Sequence, residues 1–254
     1  MSSETWAESL GEVRIFVSPA YRYNTDSILL ADFARKMVSG KAKRAVDLGS
    51  GNGILPLFWC NKDREEAKTA VFSHITAVEI QKEACELALR SVAENDLEEK
   101  ISVCNADLRA LDGILPKAQF HLVSCNPPYK ALGTGIRNPS APLAQARHED
   151  TCTPEDVIAT AAKLLQFGGK LCMCQRPERL CDLTELMRRY GLEPKVLRLV
   201  QQRPEKAPKL FLLCAVKGGN PGLTIPPTLF IEDPEGNFSP EMREIYGASF
   251  LEKR

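Results

Sequence analysis

The stretch "RAVDLGSGNGILPLFWC", residues 44–60, constrains the fold more than any other part of the chain. A short apolar run, a turn with glycine at 49, 51 and 53, and a second apolar run follow one another without a gap. Strand, tight turn and helix in that order open a βαβ unit, because glycine accepts the left-handed backbone that such a turn needs. Similar units follow downstream. "HITAVEI" (74–80) predicts a second strand, and "QKEACELALRSVAENDL" sets Ala84, Leu87, Ala88 and Val92 at helical spacing. "ISVCNA" predicts a third strand, leading to a short helix near "LRALDGI", and Phe120, Leu122, Val123 and Cys125 belong to a fourth. "TPEDVIATAAKLLQFGG" predicts a helix with Thr153 as N-cap, Pro154 in its first turn and a Gly-Gly stop. "KLCMCQ" reads as a fifth strand and "PERLCDLTELMRRYG" as a helix ended by Gly191. "KVLRLVQQR" and "PKLFLLCAVKGG" predict two adjacent strands joined by a polar turn.

Strands alternating with helices predict a doubly wound, Rossmann-like α/β fold. The expected sheet is mostly parallel and seven-stranded. No helix separates the last two strands, so one antiparallel strand is expected at the sheet edge. With 254 residues and 44% hydrophobic composition the chain can bury one large core, so 1–254 is read as a single domain. Residues 1–40 are an N-terminal helical extension, with Ile28, Leu29, Ala31 and Phe33 on one helix, and 218–254 are a Pro/Gly-rich C-terminal tail.

Charge excludes one class of partner binding. The 33 basic and 33 acidic side chains cancel, so no bulk field draws the protein to nucleic acid or membrane, and any such partner needs a local patch. Apolar runs such as "SILLADF" are far short of a spanning helix, and the N-terminal stretch lacks a basic segment followed by an apolar one. A soluble, cytoplasmic protein that does not engage membrane is therefore expected. The nine cysteines are an odd number with no C-x-x-C pair, which fits reduced, buried thiols, and His74, His121 and His148 share no ligand spacing, so no metal is expected.

The glycine turn alone fits a dinucleotide fingerprint, but Asp47 points elsewhere. A carboxylate just before the turn repels a pyrophosphate and suits an ammonium, such as that of the methionyl part of S-adenosylmethionine (SAM). Gly49 and Gly51 let the backbone approach such a ligand. Glu79 closes the second strand, where an acid accepts from ribose hydroxyls; it is otherwise a solvated strand end. Asp107 accepts from an adenine amine, caps the short helix that follows, or does both.

The fourth strand stops at Asn126-Pro127-Pro128-Tyr129. Two prolines hold the residues before them extended, which fixes where each carbonyl points. If Asn126 Oδ1 and the Pro127 carbonyl accept both protons of a substrate's exocyclic amine, the nitrogen can pyramidalise and offer its lone pair to an electrophile. Tyr129 then stacks on the planar group and holds it in line. A structural Pro-Pro turn with a satisfied asparagine is the plainer reading of these four residues alone.

"DLGSGNG", "VEI" and "NPPY", in this order, resemble the class I SAM-dependent methyltransferases that modify amino or amide nitrogens. "YRYNTDSILLADF", "ARHED" and "APKLFLLCAVKGGNPGL" extend the resemblance to the tRNA1(Val) (adenine-N6)-methyltransferase-like family, over nearly the whole chain. The resemblance implies a class I methyltransferase fold, with Asp47, Gly49 and Gly51 on the cofactor, Glu79 on its ribose and Asp107 on its adenine. It implies that Asn126, Pro127, Pro128 and Tyr129 hold the target adenine. Thr25 and Asp26 are implied near the methionyl end of SAM, or are simple helix caps, and Arg147 is implied on a substrate phosphate or in a lid.

An adenine inside a duplex cannot reach such a site, so the expected substrate is an unstacked base in RNA, above all tRNA. Residues 194–217 carry Lys195, Arg198, Arg203, Lys206, Lys209 and Lys217 against Glu205 alone, a patch for phosphates or a solvated edge strand. The other readings are a glutamine-N5 methyltransferase acting on a release factor, an rRNA guanine-N2 methyltransferase, and an idle RNA-binding module. The sequence leaves the oligomeric state open.

Overall fold

A hairpin and one large sheet account for the strands of the computed structural model, which describes residues 4–40, 43–66, 70–127 and 152–247. The hairpin pairs β1 (Trp6–Leu10) with β2 (Val13–Val17). Next come α1 (Thr25–Met37), β3 (Lys43–Leu48), α2 (Ile54–Glu65), β4 (Phe72–Glu79), α3 (Lys82–Glu94), β5 (Ile101–Asn105) and β6 (Phe120–Cys125). After residue 152 follow α4 (Pro154–Leu164), β7 (Leu165–Gln175), α5 (Leu180–Arg189), β8 (Leu192–Gln201), β9 (Leu210–Lys217), β10 (Leu229–Phe230) and α6 (Pro240–Tyr246). The sheet order is β10-β8-β9-β7-β6-β3-β4-β5, and β3, β4, β5, β6 and β7 pair in parallel. This is the doubly wound α/β architecture the alternating pattern predicts.

Two expectations about the sheet need correction. It has eight strands among the described residues, not seven, because the two residues of β10 pair with Val200 and Gln201 of β8. So short a strand leaves no periodicity in the proline-rich tail. The antiparallel strand is β9, and it lies inside the sheet between β7 and β8 rather than at an edge. Burial explains the order: Leu210 to Ala215 are buried without a break, whereas β8 alternates between buried and half-exposed positions. A strand apolar on both faces gains most from neighbours on both sides.

The Gly-Gly pair does not stop α4 either. The helix ends at Leu164, and Gly168 and Gly169 fall within β7. A Cβ on Gly169 would lie 2.9 Å from the Phe120 carbonyl oxygen, so glycine permits the close approach of β7 to β6 where their register shifts.

Alternation along the strands builds a core on each face of the sheet. Ala45 and Leu122 point toward α1 and α2, while Val46, Leu48 and Val123 point toward α4 and α5. Helix α1 is buried from Ser27 to Ala34, far beyond the single stripe expected for a surface extension, so residues 25–37 are part of the core. Trp59 of α2 is fully buried, and its Nε1 donates to the Ala31 carbonyl at 2.8 Å. The hairpin, which the sequence reading missed, is held by side chains rather than by the sheet. Asn95 accepts from Arg14 N at 2.9 Å and donates to Arg14 O at 2.7 Å, and Ser91 Oγ accepts from Phe16 N at 2.8 Å. These bonds satisfy an edge that would otherwise expose open backbone groups.

The C-terminal segment folds back on the same side. Arg198 of β8 grips Glu241 with two bonds of 2.7 and 2.8 Å. Tyr246 donates to Thr25 Oγ1 at 3.3 Å, and Lys62 Nζ donates to the Glu244 carbonyl at 3.3 Å. Among the described residues no helix is long and apolar enough to cross a membrane. All nine cysteines are free thiols, six of them buried, and no group of three or more potential metal ligands occurs among the described residues.

Candidate active site

The chain leaves β3 toward β4 and β5 and returns on the other side of β3 as β6. A crevice opens at the carboxyl ends of the strands at such a reversal. The register pairs Asp47 with Ser124, and Ser124 in turn with Cys172 of β7. The side-chain period of two then sends Asp47, Ser124, Asn126 and Cys174 toward α1.

Asp47 is 1% exposed, and its Oδ1 accepts from Ser124 Oγ at 2.7 Å. Its Oδ2 is buried with no partner, as is Ser50 Oγ. Burial pushes the Asp47 pKa up to about 7; the neighbouring hydroxyls of Ser124 and Ser50 oppose the rise, and the charge of Glu79 adds to it. Of the two hydroxyls, only that of Ser124 makes a hydrogen bond of good geometry.

The glycine turn is held from outside. Gly49 N and Ser50 N donate to the Val78 carbonyl at 2.9 and 3.0 Å, and Glu79 Oε2 accepts from Gly51 N at 2.9 Å. The other Glu79 oxygen accepts from Gln81 N at 2.9 Å. Gly49 and Gly51 have φ of +69° and +56°, and a Cβ on either would meet nothing within 4 Å. The turn therefore leaves open space above a backbone that side chains rarely adopt, beside an orphaned carboxylate oxygen. A ligand carrying an ammonium fits this combination, and a pyrophosphate does not.

Asn126 is held from both ends. Its Nδ2 donates to Ser27 Oγ at 2.9 Å, and its Oδ1 accepts from Cys174 Sγ at 3.0 Å. Pro127 beside it is buried. Pro128, Tyr129 and Arg147 lie outside the described residues. Thr25 and Asp26 begin α1, but the side chain that caps the helix is Asn24, which accepts from Ser27 N at 3.0 Å. Both line a neighbouring cavity, whereas Ser27 lines the crevice with Asp47 and Asn126. Asp107 caps the short 3-10 helix Leu108–Ala110, and Arg109 grips its carboxylate with a bond as short as 2.6 Å, which lowers its pKa.

Three contributors escaped sequence reasoning. Tyr21 lines the crevice and donates to Gln81 Oε1 at 2.5 Å. Ser27 and Cys174 set the orientation of Asn126. The alternation in "KLCMCQ" puts Cys172 and Cys174 on one face, but only the β6–β7 register brings Cys174 opposite Asn126. The basic stretch 194–217 is largely committed to the fold. Arg198 and Arg203 pair with Glu241 and Glu232, while Lys195 and Lys217 donate to backbone carbonyls. Lys206 and Lys209 have no side-chain partner among the described residues.

Comparison with known proteins agrees with the fold. A family model described as methyltransferase small domain matches residues 24–190. A tRNA1(Val) (adenine(37)-N6)-methyltransferase of Porphyromonas gingivalis is 27% identical over 228 residues, 87% of this chain and 86% of that protein. One of the same name from Tolumonas auensis is 29% identical over 232 residues, 91% of each chain. Among solved structures, a predicted O-methyltransferase, protein Atu636 from Agrobacterium tumefaciens, superposes with a TM-score of 0.67 at 25% identity, covering 87% of this chain and 95% of that one. Methanocaldococcus jannaschii Trm5 in complex with adenosine shares the fold, with a TM-score of 0.60 at 16% identity over 87% of this chain and 58% of that one.

The buried carboxylate has a measurable consequence. Its folded-state pKa of about 7 lies above the ordinary 3.8, so the native state holds the proton more tightly than the unfolded chain. Asp47 therefore subtracts stability as pH rises from about 4 to about 7, by on the order of 4 kcal/mol once fully ionised. Urea unfolding of Asp47→Asn is expected to lose most of this difference between pH 5 and pH 8. An unchanged pH dependence would contradict the assignment.

Proposed function

The chain belongs to the methyltransferase small domain family, and we propose that the acceptor of its methyl group is the exocyclic N6 of an unstacked adenine in RNA, specifically in a tRNA. SAM, the cofactor, supplies an electrophilic methyl carbon on a sulfonium when bound. Asp47 offers its partnerless Oδ2 to the ammonium of the methionyl group, and ionises as it does so. Gly49 and Gly51 leave room for that group against the main chain. Glu79, fixed by two backbone amides, faces the ribose hydroxyls, and Asp107, braced by Arg109, faces the adenine of the cofactor.

One observation carries the choice of an amino acceptor. The Asn126 amide is clamped at the carboxyl end of β6 with its oxygen on a thiol. A thiol is a weak donor, so an incoming N–H displaces it at little cost, while the Ser27 bond keeps the amide from turning over. Asn126 Oδ1 and the Pro127 carbonyl then accept the two N–H groups of the amine, which turns the nitrogen lone pair toward the methyl donor. The surplus proton leaves to solvent after the new bond has formed, and no strong base is needed. Tyr129 keeps the stacking role that the motif gives it, Pro128 a contact with the target adenine, and Arg147 a phosphate contact. The relatives named for adenine 37 of tRNA1(Val) favour tRNA over other RNAs.

The direct test incubates the protein with labelled SAM and, in parallel, an unmodified tRNA1(Val) transcript, total RNA and a translation release factor. Label recovered as N6-methyladenosine in tRNA is the expected result; label on the release factor alone would transfer the reading to a side-chain amide. Asn126→Ala is expected to lower transfer roughly a hundredfold or more with SAM affinity within a few-fold, and full activity would refute the amine geometry. Because Asp47 must ionise to hold the ammonium, the Kd for SAM is expected to fall about tenfold between pH 6 and pH 8. Calorimetry on Asp47→Asn is expected to show a flat profile, and a slope that survives the substitution would remove Asp47 from the cofactor site.

A further inference from the structure

A cavity of about 880 Å³ lies beside the crevice over the glycine turn. Its size falls within the roughly 300–1,000 Å³ of small-molecule sites. Two independent elements form the partition between them. In the first turn of α1, Thr25 and Asp26 line the cavity, and the next residue, Ser27, is bonded to Asn126. At the end of β7, Cys174 is bonded to Asn126, and Arg176 lines the cavity. Whatever occupies this space therefore lies next to the group held by Asn126.

The walls have the chemistry of a nucleotide site. Val200, Leu210, Ile231 and Phe238 give an apolar floor, with Phe238 stacked on Tyr246 at 5.1 Å between ring centroids. Of the two acids in the lining, Asp26 and Glu232, the second is matched by Arg203 at 2.5 Å, and Arg243 is held by Asp233 at 3.0 Å. Lys209 brings an ammonium with no partner among the described residues, and Lys206, equally unpaired, lies three residues before it. The exposed side-chain amide of Asn237 also lacks a partner there. An apolar floor for a planar ring, an amide for its edge and unpaired ammonium groups for a phosphodiester match one nucleotide of a chain. A peptide without acidic side chains would leave both lysines without a matching charge.

We propose that this cavity is a second nucleotide subsite, which takes the nucleotide adjacent to the target adenine, with Lys206 and Lys209 at its phosphates and Asn237 at its base edge. The proposal rests on the reading of an RNA adenine as acceptor and adds to it where sequence context is read. Splaying two neighbouring nucleotides into adjoining sites also holds the target base out of its stack.

The test uses the full chain with SAM and the tRNA1(Val) transcript, together with anticodon stem-loops lacking the base at one or other neighbour of adenine 37. Lys209→Glu is expected to raise the KM for the transcript about tenfold and to lower the log-log salt slope of RNA binding by about 1, with SAM affinity unchanged. Removing one neighbouring base is expected to lower kcat/KM about tenfold. Asn237→Ala is expected to weaken the intact RNA but to add nothing to that loss, since both changes abolish one contact. Methylation of the transcript with no effect of Lys209→Glu, or with fully additive losses for Asn237→Ala, would overturn the subsite and leave the acceptor assignment standing. If no RNA accepts label, the acceptor assignment and the subsite fall together.

Discussion

Everything at the candidate site depends on the parallel register between β3 and β6. It sets Asp47 against Ser124 and Leu48 against Cys125, so one hydroxyl lies 2.7 Å from a carboxylate that has almost no contact with solvent. A slip of one residue would send Asp47 to the α4 and α5 face and put an apolar side chain in the crevice. The same parity carries onward through Asn126 and across to Cys174. The polar groups of the site are thus a single row, two residues apart on each strand, laid out on the face that α1 covers. Helix α1 is buried along eight successive residues, which holds Ser27 fixed against Asn126.

That arrangement is expensive in isolation. The Ser124 bond offsets only part of the desolvation of an acid whose other oxygen lacks any partner, and its raised pKa expresses the strain between burial and charge. The fold tolerates it because apolar layers on both faces supply far more than one group removes. The result is a carboxylate poised near neutrality, which becomes a good partner for a cation only when one arrives. Preorganisation of this kind shifts the cost from the moment of binding to the moment of folding.

Much of the architecture was legible because its signals are local. The D-L-G-S-G-N-G turn, the capped start of α4 and the asparagine at the end of β6 each depend on a few consecutive residues. Asp47, Glu79 and Asn126 were readable as strand ends for that reason. What the sequence concealed is what distance along the chain conceals. The pairing of β9 with both β7 and β8 is decided by which strand is apolar on both faces, a comparison between segments rather than a pattern within one. The hairpin β1–β2 has a turn glycine and alternating residues, but its partners are Ser91 on α3 and Asn95 just past its end, more than seventy residues away. Cys174 reads as a core thiol until register puts it against Asn126. The basic stretch shows the opposite error: six positive side chains look like one patch, yet most of them are spent on ion pairs and carbonyls.

The bond between Tyr246 and Thr25 spans 221 positions of sequence, and that between Lys62 and the Glu244 carbonyl spans 182. During synthesis at roughly 5–20 residues per second, the start of α1 waits on the order of 10–40 s for its partner to emerge. A nascent chain can form β3, the glycine turn and β4 long before α6 exists. Until then Thr25 lacks the Tyr246 hydroxyl, and the cavity lacks Arg243. Assembly on the ribosome therefore runs from the glycine turn toward the far wall, and the step that completes the cavity comes last.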